Sequence, residues 1–278
     1  GKNATVMRNL TFMVGDISFI YYTTIDGKPV ETPNIDSAKI GCNVYEADEN
    51  GEMRGILALN SAKIPEQAFG NTLKTVTTVG NFSILARAFA KQPHLTTFRA
   101  DNISYMFTIE QSAFSKCPAL ESVLINGDDK SEIINIIVGD YAFSDNKALT
   151  EFKITGCEGV AYIRLYDEAF AYCSNLKSVI FPNSVSENSF KMSDRVFLDC
   201  TSLGSITFPE GTYSIPDHEV FDGCSALRTI TFPSTTYNFN FSFKGCKNLS
   251  TIYIKATDEW ATKSIGFNLM QDHADDLK

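Results

Sequence analysis

A short motif repeats along most of this chain, and it constrains the fold more than any other feature of the sequence. In each copy a residue of small or modest size precedes a phenylalanine, and a leucine follows six residues later, or four in the first copy. The phenylalanines are Phe69, Phe89, Phe114, Phe143, Phe170, Phe197, Phe221 and Phe243. Successive gaps are 20, 25, 29, 27, 27, 24 and 22 residues. This pattern indicates stacked repeats, because one such unit cannot bury its own apolar face.

A pair of apolar residues follows each leucine with period two. The two positions lie three and five residues after the leucine, as Val179 and Phe181 do after Leu176. The pairs are rich in β-branched and aromatic residues, which is typical of a short strand with one buried face. The repeat is too short for a full crossover helix with its loops. The sequence therefore predicts a mainly β solenoid of short parallel strands, with one strand in each repeat.

A column of cysteines lies three residues after the phenylalanine in five repeats. Its members are Cys117, Cys173, Cys200, Cys224 and Cys246. Gln92 and Asn146 occupy the same column in two other repeats, so the position favours a small side chain at a turn that can make a weak hydrogen bond. A nucleophilic thiol would need a nearby base and a lowered pKa, and the three histidines stand at unrelated repeat positions. We expect a structural ladder of free, buried thiols, with Cys42 and Cys157 outside it.

The repeat resembles that of the BspA-like leucine-rich repeat family. SAFSKCPALESVLI, EAFAYCSNLKSVIFP, RVFLDCTSLGSITFP and EVFDGCSALRTITFP carry the resemblance, and Pro182, Pro209 and Pro233 keep a strand-ending proline. The resemblance covers residues 61–278. It implies a right-handed leucine-rich-repeat solenoid, in the α/β solenoid class, and an exported or cell-surface bacterial protein.

The first 60 residues carry two hairpin patterns. FIYYTTIDGKPVE has a two-residue turn signal at Asp26-Gly27, and NVYEADENGEMRGILAL has another at Asn50-Gly51. We expect residues 1–60 to form a β cap, since an open solenoid end would expose unpaired strand edges. Residues 61–255 would then hold the repeats. Residues 256–278 lose the cysteine and the small-Phe pair and are predicted to form a degenerate C-terminal repeat.

Charge and composition exclude several classes of partner. The net charge of −9 argues against nucleic acid and anionic membrane surfaces, and no apolar run approaches the ~18 residues that span a bilayer. The segment GKNATVMRNL has no apolar core of the signal-peptide kind. This fits a cytosolic chain or the mature form of an exported one, and the resemblance implies the exported form at the cell surface. We predict a monomer.

No cofactor or metal is predicted. Glu46, Asp48 and Asn50 resemble the start of a calcium-binding loop, but Leu57 stands where a bidentate glutamate is required. Pairs of metal-ligand cysteines or histidines and Gly-rich phosphate loops do not occur in the sequence.

The residue between the two buried strand positions faces outward, and this column varies between repeats. It reads Thr77, Arg99, Leu124, Lys153, Ile180, Thr207, Thr231 and Tyr253. Concave solenoid faces commonly bind partners, and Arg and Tyr are common interface anchors. We therefore place partner contacts on the concave face. The contact residues would be Arg99, Leu124, Lys153, Ile180 and Tyr253, although ordinary exposed strand residues would give the same pattern.

The resemblance implies a non-enzymatic adhesion module that binds a protein or glycan partner, with host extracellular matrix as one candidate. Two alternatives stay open at this point. The chain could be a structural spacer that presents another domain. It could also be an enzyme whose site is built on the long insertions at residues 126–137 and 155–167.

Overall fold

The computed structural model describes most of the chain from residue 75 onward and several short strands before it. The described residues are 13–14, 17–18, 23–25, 28–30, 42–44, 56–58, 62–64, 75–128, 130–131, 133–159, 161–215, 218–255 and 266–269. The regular secondary structure of these residues consists of β-strands alone. None of these residues belongs to a helix that is long and apolar enough to cross a membrane.

The strands that precede the repeats pair mostly in antiparallel fashion. They are β1 Met13–Val14, β2 Ile17–Ser18, β3 Thr23–Ile25, β4 Lys28–Val30, β5 Cys42–Val44, β6 Ile56–Ala58 and β7 Ala62–Ile64. The β3–β4 and β5–β6 pairs are antiparallel and confirm the two predicted hairpins. The β1–β2 pair, which the sequence did not predict, lies against β7. The boundaries at residues 60 and 255 stay predictions.

From β6 onward, each coil contributes one strand to each of two parallel arrays. After β6, the first array continues through β8 Thr75–Val79, β10 Thr97–Ile103, β12 Ser122–Gly127, β14 Glu151–Thr155, β16 Ser178–Ile180, β18 Ser205–Thr207, β20 Thr229–Phe232 and β22 Thr251–Ile254. After β7, the second continues through β9 Phe82–Ile84, β11 Met106–Ile109, β13 Ile134–Val138, β15 Ala161–Leu165, β17 Phe190–Met192, β19 Ser214–Ile215, β21 Asn238–Phe241 and β23 Gly266–Leu269. The predicted parallel-stranded solenoid is confirmed.

The second array corrects the prediction of one strand per repeat. The segments predicted as insertions, 126–137 and 155–167, hold most of β13 and all of β15. Ile134, Ile136 and Val138 are fully buried and alternate with partly exposed neighbours, which is the period-two pattern of a strand with one buried face. The strands of these segments form a wall of the core, so the connecting loops on which an enzyme site was considered are shorter than predicted.

Both arrays are interrupted at the same level of the solenoid. A sheet that runs from β5 and β6 ends at β16, and β18, β20 and β22 form another. The second array is interrupted likewise between β17 and β19. Backbone hydrogen bonds of the turn around the phenylalanine continue across this level, where the N–H of Phe170 donates to the carbonyl of Val196 over 2.9 Å. The turn and an isolated parallel bridge between Ser184 and Glu210 therefore link the two parts.

Stacked phenylalanine rings fill the core along this turn. The ring centroids of Phe143 and Phe170 are 5.3 Å apart, with planes 10° from parallel, close to the ~4.8 Å spacing of neighbouring strands. Burying one such ring stabilises the fold by roughly 1.5–3 kcal/mol. The leucine of each described repeat is buried as well. The phenylalanine and leucine columns of the sequence are thus the centre of the fold.

The turn has an unusual backbone that the sequence did not reveal. Residues two positions before and after the phenylalanine have positive φ, as Glu168 (54°) and Tyr172 (64°) do around Phe170. The N–H groups of all three donate to carbonyls of the next coil at 2.7–3.0 Å. A left-handed L-residue costs roughly 1–2 kcal/mol, and the hydrogen bonds between coils offset that cost.

Candidate functional site

Each ladder thiol donates a hydrogen bond to the carbonyl oxygen of the phenylalanine one coil earlier. The Sγ–O distances are 3.0 Å for Cys117–Phe89, 3.1 Å for Cys173–Phe143, 3.2 Å for Cys200–Phe170, 3.1 Å for Cys224–Phe197 and 3.1 Å for Cys246–Phe221. All five cysteines are free and buried, as predicted. Burial is the main cause that raises the pKa of Cys117, Cys173 and Cys246 to about 12. Such thiols stay protonated at neutral pH and are poor nucleophiles.

Asn146 takes the place of a cysteine in one coil. Its side-chain amide donates to the carbonyl of Phe114 at 3.0 Å, and its Oδ1 accepts the N–H of Cys117 at 2.7 Å. The amide therefore makes the bond that a thiol makes elsewhere and adds a second one. Cys157, outside the ladder, is also buried and free, and burial raises its pKa to about 12.

The outward column of the first array, where we predicted partner contacts, divides into two rows. Arg99, Leu124, Lys153 and Ile180 stand opposite one another on β10, β12, β14 and β16. Tyr253 lies on β22, beyond the interruption, in a row with threonines of β18 and β20. The structure thus brings four of the five residues together and places Tyr253 apart from them.

Both cations of the row of four are paired with carboxylates of their own strands. The Nε of Arg99 lies 2.5 Å from Oδ2 of Asp101, and the Nζ of Lys153 lies 2.7 Å from Oε2 of Glu151. The hydrogen bond that Arg99 donates to the Asp101 carboxylate is the main cause that raises the pKa of Arg99. Partly exposed pairs of this kind contribute little to stability, but they position the side chains and neutralise the row.

Apolar and aromatic side chains of this face reach solvent. Ile180 is 40% exposed and Tyr253 is 58% exposed. The column two residues earlier is almost entirely hydroxylic and consists of Thr75, Thr97, Ser122, Glu151, Ser178, Ser205, Thr229 and Thr251. The face therefore combines uncharged hydroxyls, neutralised ion pairs and exposed apolar groups.

The second array has an outward face that the sequence analysis did not consider. On β13 and β15, Asn135 stands opposite Tyr162, and Ile137 opposite Arg164. Arg164 in turn stands opposite Lys191 on β17. These positions alternate with fully buried residues, and that alternation is the signal that could have identified the face.

A metal site would need several His, Cys, Asp or Glu side chains close together in the part of the chain that the structure describes. No three His, Cys, Asp or Glu side chains there are arranged to hold an ion. The calcium-like segment 46–51 lies outside the described residues.

Comparison with known proteins identifies the repeat. The BspA type leucine rich repeat region, in 6 copies, matches residues 39–157 and 136–268. No curated protein is similar enough to the chain to count as a match.

Two solved structures are similar to parts of the chain. A leucine rich cell surface protein of Faecalibacterium prausnitzii is 16% identical, with 81% of this chain and 96% of that one covered and a TM-score of 0.29. A leucine-rich repeat protein of Bacteroides ovatus is 20% identical, with coverages of 77% and 75% and a TM-score of 0.24. At these values neither structure bears on what this chain binds.

Proposed function

Because the chain belongs to the BspA-type leucine-rich repeat family, we propose that it is a non-enzymatic binding module of an exported or cell-surface protein. Its partner would be a protein or a glycan, and host extracellular matrix is the first class to test. Repeats of this kind commonly serve protein binding. The proposal places the contacts on the outward face of the first array.

The in-register row formed by Arg99, Leu124, Lys153 and Ile180 carries this proposal. Three strand spacings separate its ends, a span of about 14 Å. The row stands on hydrogen-bonded strands over a packed core, so little conformational entropy is lost when a partner binds. Its concave position stays a prediction.

The electrostatics of the row indicate what kind of contact it makes. Because Arg99 and Lys153 are neutralised within their own strands, the row offers apolar surface and hydrogen-bond donors and little net charge. We therefore expect binding through this face to depend only weakly on salt, in contrast to binding steered by unpaired charges.

Surface plasmon resonance tests the proposal. The purified chain is passed over immobilised fibronectin, fibrinogen, collagen, laminin and mucin glycans. The row variant combines Arg99→Ala, Leu124→Ala, Lys153→Ala and Ile180→Ala. A matched control combines Lys91→Gln and Lys116→Gln, two exposed cations on neighbouring coils at the phenylalanine turn. We expect saturable binding that weakens by about tenfold or more in the row variant, or about 1.4 kcal/mol, and is unchanged in the control.

Two results would count against the proposal. Binding that survives the row variant would place the contact on another surface. Failure to bind any of these ligands would favour a structural spacer that presents another domain.

A further inference from the structure

Two cations stand side by side on the outward face of the second array. Arg164 and Lys191 are in-register neighbours on β15 and β17, so their Cα atoms are separated by about the 4.8 Å strand spacing. Like charges in directly opposed positions destabilise a sheet. Two cations in adjacent, opposed positions are therefore unexpected in a chain with a net charge of −9.

No carboxylate of the described residues forms an ion pair with either cation, although the structure pairs Arg99 and Lys153 on the first array. Among the described residues, the Lys191 ammonium donates a hydrogen bond to the neutral side-chain amide oxygen of Asn188. The guanidinium of Arg164 lies 4.7 Å from the ring centroid of Tyr166.

The guanidinium also carries an unsatisfied donor. The Nε of Arg164 is buried and has no hydrogen-bond partner among the described residues, which is unfavourable for a buried polar group. Rotation of the side chain from the Tyr166 ring toward an incoming acceptor would remove this cost. The site therefore gains more from an anion than an exposed arginine would.

Apolar and aromatic side chains lie on the Arg164 side of the two cations. Ile137 stands opposite Arg164 on one side, and Tyr162 lies two residues earlier on the same strand. Met106, on β11, stands opposite Asn135. All of them are partly exposed, so the cations lie in an apolar rather than a uniformly charged surface.

We propose that this face is a second binding surface, distinct from the row on the first array, and that Arg164 and Lys191 together hold a carboxylate of an acidic protein segment whose neighbouring side chains are apolar. The planar guanidinium fork matches a carboxylate in a bidentate geometry. Lys191 supplies a second positive charge one strand away. Ile137, Tyr162 and Met106 would contact the apolar neighbours of the carboxylate.

A polyanionic glycan fits this face less well. Sulfated chains carry many charges, and their affinity comes from a long row of cations that displaces counterions, as with other polyanions. On the described strands of the second array, the outward positions next to this pair hold Ile137 and Asn135, which are uncharged. Two adjacent cations suit one or two carboxylates.

Fluorescence anisotropy with the full chain tests the inference. The probe is a fluorescein-labelled peptide in which two glutamates are flanked by valine and leucine. A control peptide has glutamine at the two glutamate positions. A heparin oligosaccharide serves as the glycan arm. The site variant combines Arg164→Gln and Lys191→Gln, and the control combines Lys91→Gln and Lys116→Gln, which removes the same charge elsewhere.

We expect the glutamate peptide to bind about tenfold more tightly than the glutamine peptide, with that advantage lost in the site variant and kept in the control. Because the variant removes a repulsive pair, we also expect its thermal midpoint to be equal or higher, which separates lost binding from lost folding.

Other outcomes would overturn the inference. They are equal binding of the two peptides, no binding of either, an equal effect of the control variant, heparin binding through the pair without peptide binding, or a lowered thermal midpoint in the site variant. The row on the first array is intact in every variant used here, so the proposed function is tested separately.

Discussion

The thiol of Cys173 donates a hydrogen bond to the carbonyl oxygen of Phe143, one coil earlier, over an Sγ–O distance of 3.1 Å. The bond recurs at every cysteine of the ladder. At Cys200, in the repeat that contains β18, it crosses the level where both arrays are interrupted, because its acceptor is the carbonyl of Phe170 in the repeat that contains β16. The ladder therefore links coils where the two sheets end, and this hydrogen bond accounts for cysteine at this position without requiring a redox or catalytic role.

The ladder thiols should be unreactive in the folded protein. Burial keeps them protonated and out of reach of reagents. We expect alkylation at pH 8 to leave all five unmodified in the native chain and to modify them after unfolding in urea, as mapped by mass spectrometry of peptides. Rapid native modification of Cys173 or Cys200 would contradict the ladder.

Stability should fall steeply in alkali. The folded pKa of Cys117 and Cys173 is about 12, above the ordinary thiol value of 9.0, so these thiols stabilise the fold fully below pH 9 and lose that contribution as pH rises toward 12. Each contributes a slope of about 1.4 kcal/mol per pH unit in this window.

The double variant Cys117→Ala, Cys173→Ala tests this slope. Between pH 9 and pH 11, the free energy of unfolding measured in urea should fall less steeply with pH in the variant than in the parent chain. The difference in slope should correspond to about two protons. Both proteins should show the same dependence between pH 6 and pH 8. Identical slopes above pH 9 would mean that the thiols ionise as readily in the folded chain as in the unfolded one.

Asn146 should be more costly to remove than a ladder cysteine. Asn146→Ala leaves the Phe114 carbonyl and the Cys117 N–H without partners, and each unpaired buried group costs about 1–3 kcal/mol. We expect Asn146→Cys to lose less, because a thiol can restore the bond to Phe114. The free energy of unfolding in urea gives the order, and equal losses in the two variants would contradict it.

A side chain at Gly223 should lower stability. Its φ is +75°, and an added Cβ would lie 2.0 Å from Oδ1 and 3.2 Å from Cα of Asp199. Gly223→Ala should lower the free energy of unfolding by about 1–2 kcal/mol from its left-handed backbone alone. Gly204→Ala is the matched control, since nothing lies within 4 Å of its added Cβ. A loss that is equal in both variants would show that the turn geometry is not responsible.

The sequence predicted the parts of the fold that repeat at fixed offsets. The offsets from Phe170 to Cys173 and Leu176, and onward to the strand at Val179, are the same in most coils because the turn that leads into the first strand has a constant length. The second strand was missed because its distance from the phenylalanine varies between coils, from 17 residues between Phe89 and β11 to 20 residues between Phe114 and β13. Ile134, Ile136 and Val138 nevertheless carried the period-two signal.

The candidate site was predictable only in part. Alternation placed Arg99 and Ile180 on an outward face, and the structure aligns them in one row. Sequence columns could not reveal that the arrays are interrupted before β18, which separates Tyr253 from that row. Nor could they pair Arg164 with Lys191, because that contact depends on the register of strands whose spacing in sequence varies.

Photo-crosslinking tests the central claim, binding through the first array, most directly. Benzoylphenylalanine would replace Ile180 in one protein and Tyr172 in another, since both positions are 40% exposed but Tyr172 lies on the phenylalanine turn. The partner is the matrix ligand that binds saturably in surface plasmon resonance. We predict an adduct from position 180 and none from position 172. An adduct from position 172 alone, with binding intact, would contradict the account.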